Sequence, residues 1–102
     1  MVEYGKLVRD KIPDIIFEEG KISLIHTADE EEFKIKLNEK LIEEATEFSE
    51  NPSIEELADI FEVINAICEF YGFDLKEIEE ERIKKLNERG GFSERVILDI
   101  VE

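Results

Sequence analysis

The sequence predicts an all-α fold, a compact helical bundle built around an antiparallel central hairpin. Three observations predict it. Phe33, Leu37, Leu41, Ala45 and Phe48 recur every three or four positions between Asp29 and Glu50, the period of a long amphipathic helix. Residues 54–71 are apolar on nearly every face, as in a helix covered on more than one side. Between the two, "ENPS" has the composition of a tight connection. At 102 residues the chain makes one domain, 1–102.

Before the hairpin, "RDKIPDIIFEEG" reads as a short helix, with Asp10 as candidate N-cap, Pro13 in the first turn and Gly20 as the stop. "KISLIHT" then carries β-branched residues in an extended run, and its natural partner is "RVILDIV" near the end. A small two-stranded ribbon joining the chain ends is the expectation. Ser53 opens the second hairpin helix with Glu56 three residues on, the spacing of a capping box. After Gly72, "DLKEIEEERIKKLNERGG" predicts a further helix with Leu75, Ile78, Arg82 and Leu86 along one side, ended by Gly90-Gly91.

A formal charge of −15 argues against binding polymeric nucleic acid through its phosphates or docking on an anionic membrane. Any anionic ligand is expected to arrive with a metal. The single cysteine, Cys68, has no partner for an intrachain disulfide and sits in an apolar run, which suits a buried thiol in a reducing cytoplasm. The charged start "MVEYGKLVRDKIP" does not read as a signal peptide, and no apolar stretch is long enough to span a bilayer. A cytoplasmic protein is expected.

The acidic residues of the hairpin are mirror images about its turn. If the two helices pack antiparallel, Glu44 stands level with Asp59 and Glu47 level with Glu56. Residues three apart share a helix face, and packed helix axes lie roughly 8–10 Å apart, so all four side chains converge. Two unit charges about 5 Å apart repel by roughly 3 kcal/mol at an effective dielectric near 20. Such a group must raise its pKa values or bind a cation. All-carboxylate ligation suits a hard ion, Mg²⁺ or Mn²⁺, and Mg²⁺ commonly takes its remaining ligands from water and substrate phosphates. The pattern therefore predicts a metal site open to a phosphate ester. Glu62, three residues beyond Asp59, is a further candidate ligand or a group behind the ligands, whereas Asn65 and Glu69 on the same stripe are equally read as a solvated edge or as its functional continuation.

With these residues in view, "EEATE" followed by "EELAD" resembles the EExxE…ExxD signature of the all-α nucleoside triphosphate pyrophosphatases, the MazG and dimeric dUTPase superfamily that also includes phosphoribosyl-ATP pyrophosphohydrolase. "KLVRDKIPDII" and "KKLNERGGF" resemble a small single-domain, phosphoribosyl-ATP pyrophosphohydrolase-like branch of it. Only eight residues lie between Glu47 and Glu56, a shorter connection than larger family members commonly have. The resemblance implies hydrolysis between the α- and β-phosphates of a nucleotide, giving a monophosphate and pyrophosphate. It implies Glu44, Glu47, Glu56 and Asp59 as Mg²⁺ ligands, with Glu43 as a supporting acid or the group that activates water.

The cations carry two readings each. Lys6, Arg9 and Lys11 bind substrate phosphates or make ordinary surface ion pairs. Lys85 and Arg89, four apart beside Gly90-Gly91, bind a ligand or simply complement a helix C-terminus. His26, the only histidine, falls away from the carboxylates and reads as peripheral, and its absence from the hairpin counts against a ferritin-like di-iron centre. Apolar coverage beyond what so short a chain can hide predicts a homodimer or higher homo-oligomer, and the resemblance adds that basic residues of a neighbouring copy contribute to the site. The competing function is a non-catalytic acidic helical module for dimerisation or partner binding. Hydrolysis of phosphoribosyl-ATP remains a third possibility within the enzyme class.

Overall fold

The computed structural model describes residue 2 and residues 4–102, and its regular structure is entirely helical: α1 (Ile12–Glu18), α2 (Glu30–Glu50), α3 (Ile54–Tyr71) and α4 (Leu75–Arg89). The chain divides into two compact units, Met1–Tyr71 and Gly72–Glu102. The first contains α1, α2 and α3; the second contains α4.

Three of the hairpin's four helix ends have a local cause. Asp29 caps α2, its side chain accepting from the Glu32 N–H at 2.8 Å, and three glutamates in the first turn complement the helix dipole. Pro52 biases the residue before it toward extended backbone, and Asn51 ends α2 at φ −144°, ψ 77° while its N–H still reaches Glu47 O. The Ser53 hydroxyl then accepts from the Glu56 N–H at 3.1 Å. The cap predicted from the spacing of Ser53 and Glu56 is therefore half made. Among the described residues the Glu56 carboxylate does not return the bond, and its Oε2 is buried without a partner.

α2 and α3 pack against each other along the hairpin. Their contact buries Leu37, only 1% exposed, with Val63 and Cys68, so the thiol is inert packing as expected. Phe33 near the start of α2 meets Phe70 near the end of α3 edge to face, with centroids 5.6 Å apart. That pair fixes the register. Eleven residues further along α2 and eleven back along α3 are Glu44 and Asp59, about 16 Å away at the rise of an α-helix. Of the apolar residues predicted to face inward on α2, Ala45 lies exposed, while Phe33, Leu41 and Phe48 are half-buried.

Two expectations are corrected. Asp10 does not cap α1: the helix starts at Ile12 with Lys11 at the N-cap and no side-chain cap bond, Pro13 having set the first turn. Gly20 does end it, in the left-handed region at φ +81°, with the Lys21 N–H reaching back to Ile16 O. The ribbon is absent, since neither residues 21–27 nor residues 95–101 form a strand. Their Ile22, Leu24, Val96 and Ile97 side chains are exposed, and a two-stranded ribbon without a third strand or a covering helix is marginal in water. The helix expected after Gly72 is present as α4; its Leu75, Ile78 and Leu86 are exposed, and Arg82 pairs with Glu79 on the same helix. No helix among the described residues is long and apolar enough to cross a membrane.

With so small a core, Leu37→Ala should cost about 2–5 kcal/mol, read as a fall in the urea midpoint. Ile42→Ala, on the exposed side of the same helix, should stay within about 0.5 kcal/mol of wild type.

Candidate metal centre

The hairpin register brings its acids together in two groups that share one residue. Glu43, Glu44 and Glu47 of α2 each offer an oxygen within 4.8 Å of the others, and Glu44, Glu56 and Asp59 do the same across the two helices. Glu44 is thus level with Asp59, as the mirrored spacing requires. Glu47 joins the α2 group and is not in the trio that crosses to α3. Glu62 belongs to neither group and is exposed, as are Asn65 and Glu69.

Glu44 is the most constrained of these side chains. It is 5% exposed, and its two oxygens have unlike surroundings. Oε1 pairs with Lys40 Nζ at 3.1 Å; Oε2 is buried and meets no hydrogen-bond donor among the described residues, while the Glu47 carboxyl lies close enough to share a proton with Glu44. Burial pushes its carboxyl above the ordinary range, Lys40 pulls the other way without cancelling that, and the Glu47 carboxylate adds to the rise. Glu43 behaves oppositely. Burial again acts upward, but Lys6 at 2.9 Å and Lys40 at 3.1 Å outweigh it and hold its carboxyl low. Lys40, with only 16% of its side chain exposed, loses hydration by burial, which lowers its pKa, yet Glu43 and Glu44 together raise it.

Two further cations reach the same acids from the N-terminal segment. Lys6 Nζ binds Glu43 Oε1, and Arg9 Nη2 binds Asp59 Oδ1 at 2.7 Å. Lys36 anchors that segment by donating to Gly5 O at 2.8 Å. Lys11 stands at the N-cap of α1, away from any ion pair among the described residues. Lys85 and Arg89 lie on α4 in the second unit. His26 pairs with Glu32 at 2.9 Å, a peripheral contact as the sequence suggests.

Lys40 is the residue that sequence reasoning missed. Its signal was present, because Lys40 precedes Glu43 and Glu44 by three and four positions on one helix, the spacing at which helical ion pairs form.

The residues fit a hard cation. Ligands on opposite sides of a Mg²⁺ ion stand about 4.2 Å apart, and the oxygens of each group here lie within 4.8 Å of one another. Two of the oxygens, Glu44 Oε2 and Glu56 Oε2, have surrendered water without gaining a hydrogen bond, a costly arrangement for carboxylates unless something positive completes it.

No family model matches the chain, and no curated protein or solved structure shows significant similarity to it.

The raised pKa of Glu44 makes a signed prediction for the metal-free protein. A folded-state pKa above the unfolded value favours folding while the group is protonated, and that advantage is lost as pH rises through the folded pKa. Glu44→Gln, which cannot ionise, should therefore raise the urea midpoint at pH 7 in a chelator. The gain should shrink to nothing as pH falls below the ordinary carboxylate range, where wild-type Glu44 is protonated as well. A glutamine variant less stable than wild type at neutral pH would show that the Lys40 pair outweighs burial.

Proposed function

We propose that the chain is a Mg²⁺-dependent nucleotide pyrophosphohydrolase that cleaves between the α- and β-phosphates of a nucleotide, giving a monophosphate and pyrophosphate. House-cleaning of non-standard or excess triphosphates is the role that suits it. The observation that carries this reading is Glu44 Oε2, a carboxylate oxygen buried without a partner where the acids of α2 and α3 meet. The "EEATE" and "EELAD" strings, which resemble the pyrophosphatase signature, supply the choice of reaction.

In this reading Glu44, Glu56 and Asp59 hold the cation from both helices, and Glu47 supports it from α2. Mg²⁺, or Mn²⁺ in its place, polarises phosphoryl oxygens and neutralises charge developing there. The protein's own groups do the rest. Glu43 is kept ionised by Lys6 and Lys40, which suits a supporting acid better than a proton acceptor, because a lowered pKa weakens a general base. Lys6 and Arg9 stand beside the acids where phosphates would lie. The half-made cap leaves the Glu56 carboxylate free of a structural duty.

Incubation with a panel of nucleotides and Mg²⁺, with products resolved, should give monophosphate and pyrophosphate; diphosphate plus inorganic phosphate would contradict the assigned bond. Glu56→Gln keeps the Ser53 cap bond, which uses only the backbone N–H. It should leave metal-free stability equal or slightly higher while lowering activity about 10²-fold, or ~2.7 kcal/mol in the barrier. Hydrolysis at the wild-type rate would remove Glu56 from the site.

Association of copies is part of the proposal. Ile54, Leu57 and Phe61 share one face of α3 and are exposed in the single chain, Phe61 by 66%. Apolar faces of this kind are what obligate dimers cover. Light scattering should report at least twice the 11.9 kDa of one chain at micromolar concentration; a monomer would overturn it. The competing reading, an acidic binding module, draws on the same exposed face but leaves the burial of Glu44 without a purpose.

A further inference from the structure

We propose that Lys6 and Arg9 form a counter-ion strap, which neutralises the carboxylates while no metal is bound and turns to the phosphates of a polyphosphate ligand once a divalent cation takes its place. The inference rests on the metal-site reading above and adds to it an exchange of partners.

The strap is visible as connectivity. Within five residues the N-terminal segment is pinned to α2 by Lys36 on Gly5 O, joined to Glu43 by Lys6 and joined to Asp59 of α3 by Arg9. It therefore bridges the two helices that supply the acids. Both of its acidic partners belong to the oxygen groups that converge on Glu44, whose own Oε2 is buried and unpaired.

The three cations at the site are not equivalent. Lys40 is held on α2 between Glu43 and Glu44 and is nearly buried, so it is a fixed counter-charge. Lys6 and Arg9 have side chains 42% and 55% exposed, with solvent beside them into which they can swing. A dication bound through Asp59 repels the guanidinium now resting on that carboxylate and offers the carboxylate a better partner. The released guanidinium is a planar fork suited to bidentate contact with phosphate, and it stays tethered beside the metal by the Lys36 anchor. One residue thus opposes binding of the bare metal and favours binding of the metal–phosphate complex. Linkage then makes metal and polyphosphate binding mutually reinforcing.

The test measures two affinities that must move in opposite directions. Mn²⁺ binding is followed by the electron spin resonance of the free ion, and binding of magnesium tripolyphosphate, the portion common to nucleoside triphosphates, by calorimetry in excess Mg²⁺. Arg9→Gln should bind Mn²⁺ about two- to fivefold more tightly, the scale of an exposed ion pair, and magnesium tripolyphosphate about tenfold or more weakly. Arg9→Lys, which keeps the charge, should fall near wild type for Mn²⁺ and between the two for tripolyphosphate. Unchanged or weaker Mn²⁺ binding by Arg9→Gln overturns the strap, as does unchanged tripolyphosphate binding. If wild type itself takes up no Mn²⁺, the metal-site reading fails and the strap with it; if wild type binds Mn²⁺ and Arg9→Gln does not respond, the strap alone fails. Circular dichroism checks the fold, and should Arg9→Gln not fold, Lys6→Gln is judged by the same criteria.

Discussion

Packing α2 against α3 must hide Leu37, Val63 and Cys68 with little else in the unit to help, and only one antiparallel register does so while also seating Phe33 against Phe70. That constraint reaches the chemistry directly. Because helices are stiff over the three turns that separate the aromatic pair from Glu44 and Asp59, a register set by apolar burial also decides which carboxylates face each other. A slip of one residue on either helix would rotate its face by about 100° and scatter the oxygens that now lie within 4.8 Å. Core and site are held by the same contact.

Against that packing stands an electrostatic cost concentrated on Glu44. Removing a carboxylate from water is expensive unless hydrogen bonds and counter-charges replace the hydration. Here one oxygen has Lys40 and the other has no donor among the described residues. The neighbours divide accordingly, with Glu43 held ionised between two ammonium groups and Glu44 pushed toward its neutral form. Two adjacent glutamates on one helix thus receive opposite tendencies from their surroundings, the kind of separation that functional sites use. A solubilising acid has no reason to be buried, and this is why the burial of Glu44 weighs more than the abundance of acids around it.

The hairpin was legible in the sequence because its signals are local and periodic. Asp29, Pro52 and Ser53 mark boundaries, and the mirrored acids state the register. The core was overestimated for a related reason. Periodicity reports which residues share a face and not whether anything covers that face, so Ala45 was expected to face inward and is exposed. The ribbon failed because "KISLIHT" and "RVILDIV" have strand composition without a third element to stabilise the pair. Asp10 lost the cap to chain geometry, since helix α1 begins two residues beyond it. The basic residues were visible but their partners were not. Nothing in "KLVRDKIP" announces that Lys6 would reach 37 residues forward to Glu43 or Arg9 50 residues forward to Asp59, because contacts of that range depend on where α2 and α3 leave their acids.

An acidic protein that handles an anionic ligand needs a bridge of positive charge, and the site's own groups set its size. Five carboxylates, Glu43, Glu44, Glu47, Glu56 and Asp59, stand against three cations, Lys6, Arg9 and Lys40. Fully ionised, they leave an excess of two negative charges, which one divalent cation balances. A polyphosphate chain brings several more, and the balance then fails unless cations leave the carboxylates for the phosphates or additional metal ions accompany the ligand. Lys40 is too enclosed to leave, whereas Lys6 and Arg9 are not. The distribution of exposure among three positive side chains therefore separates a permanent counter-charge from a transferable one, and it gives the acidic cluster a way to accept an anion that its net charge would otherwise repel.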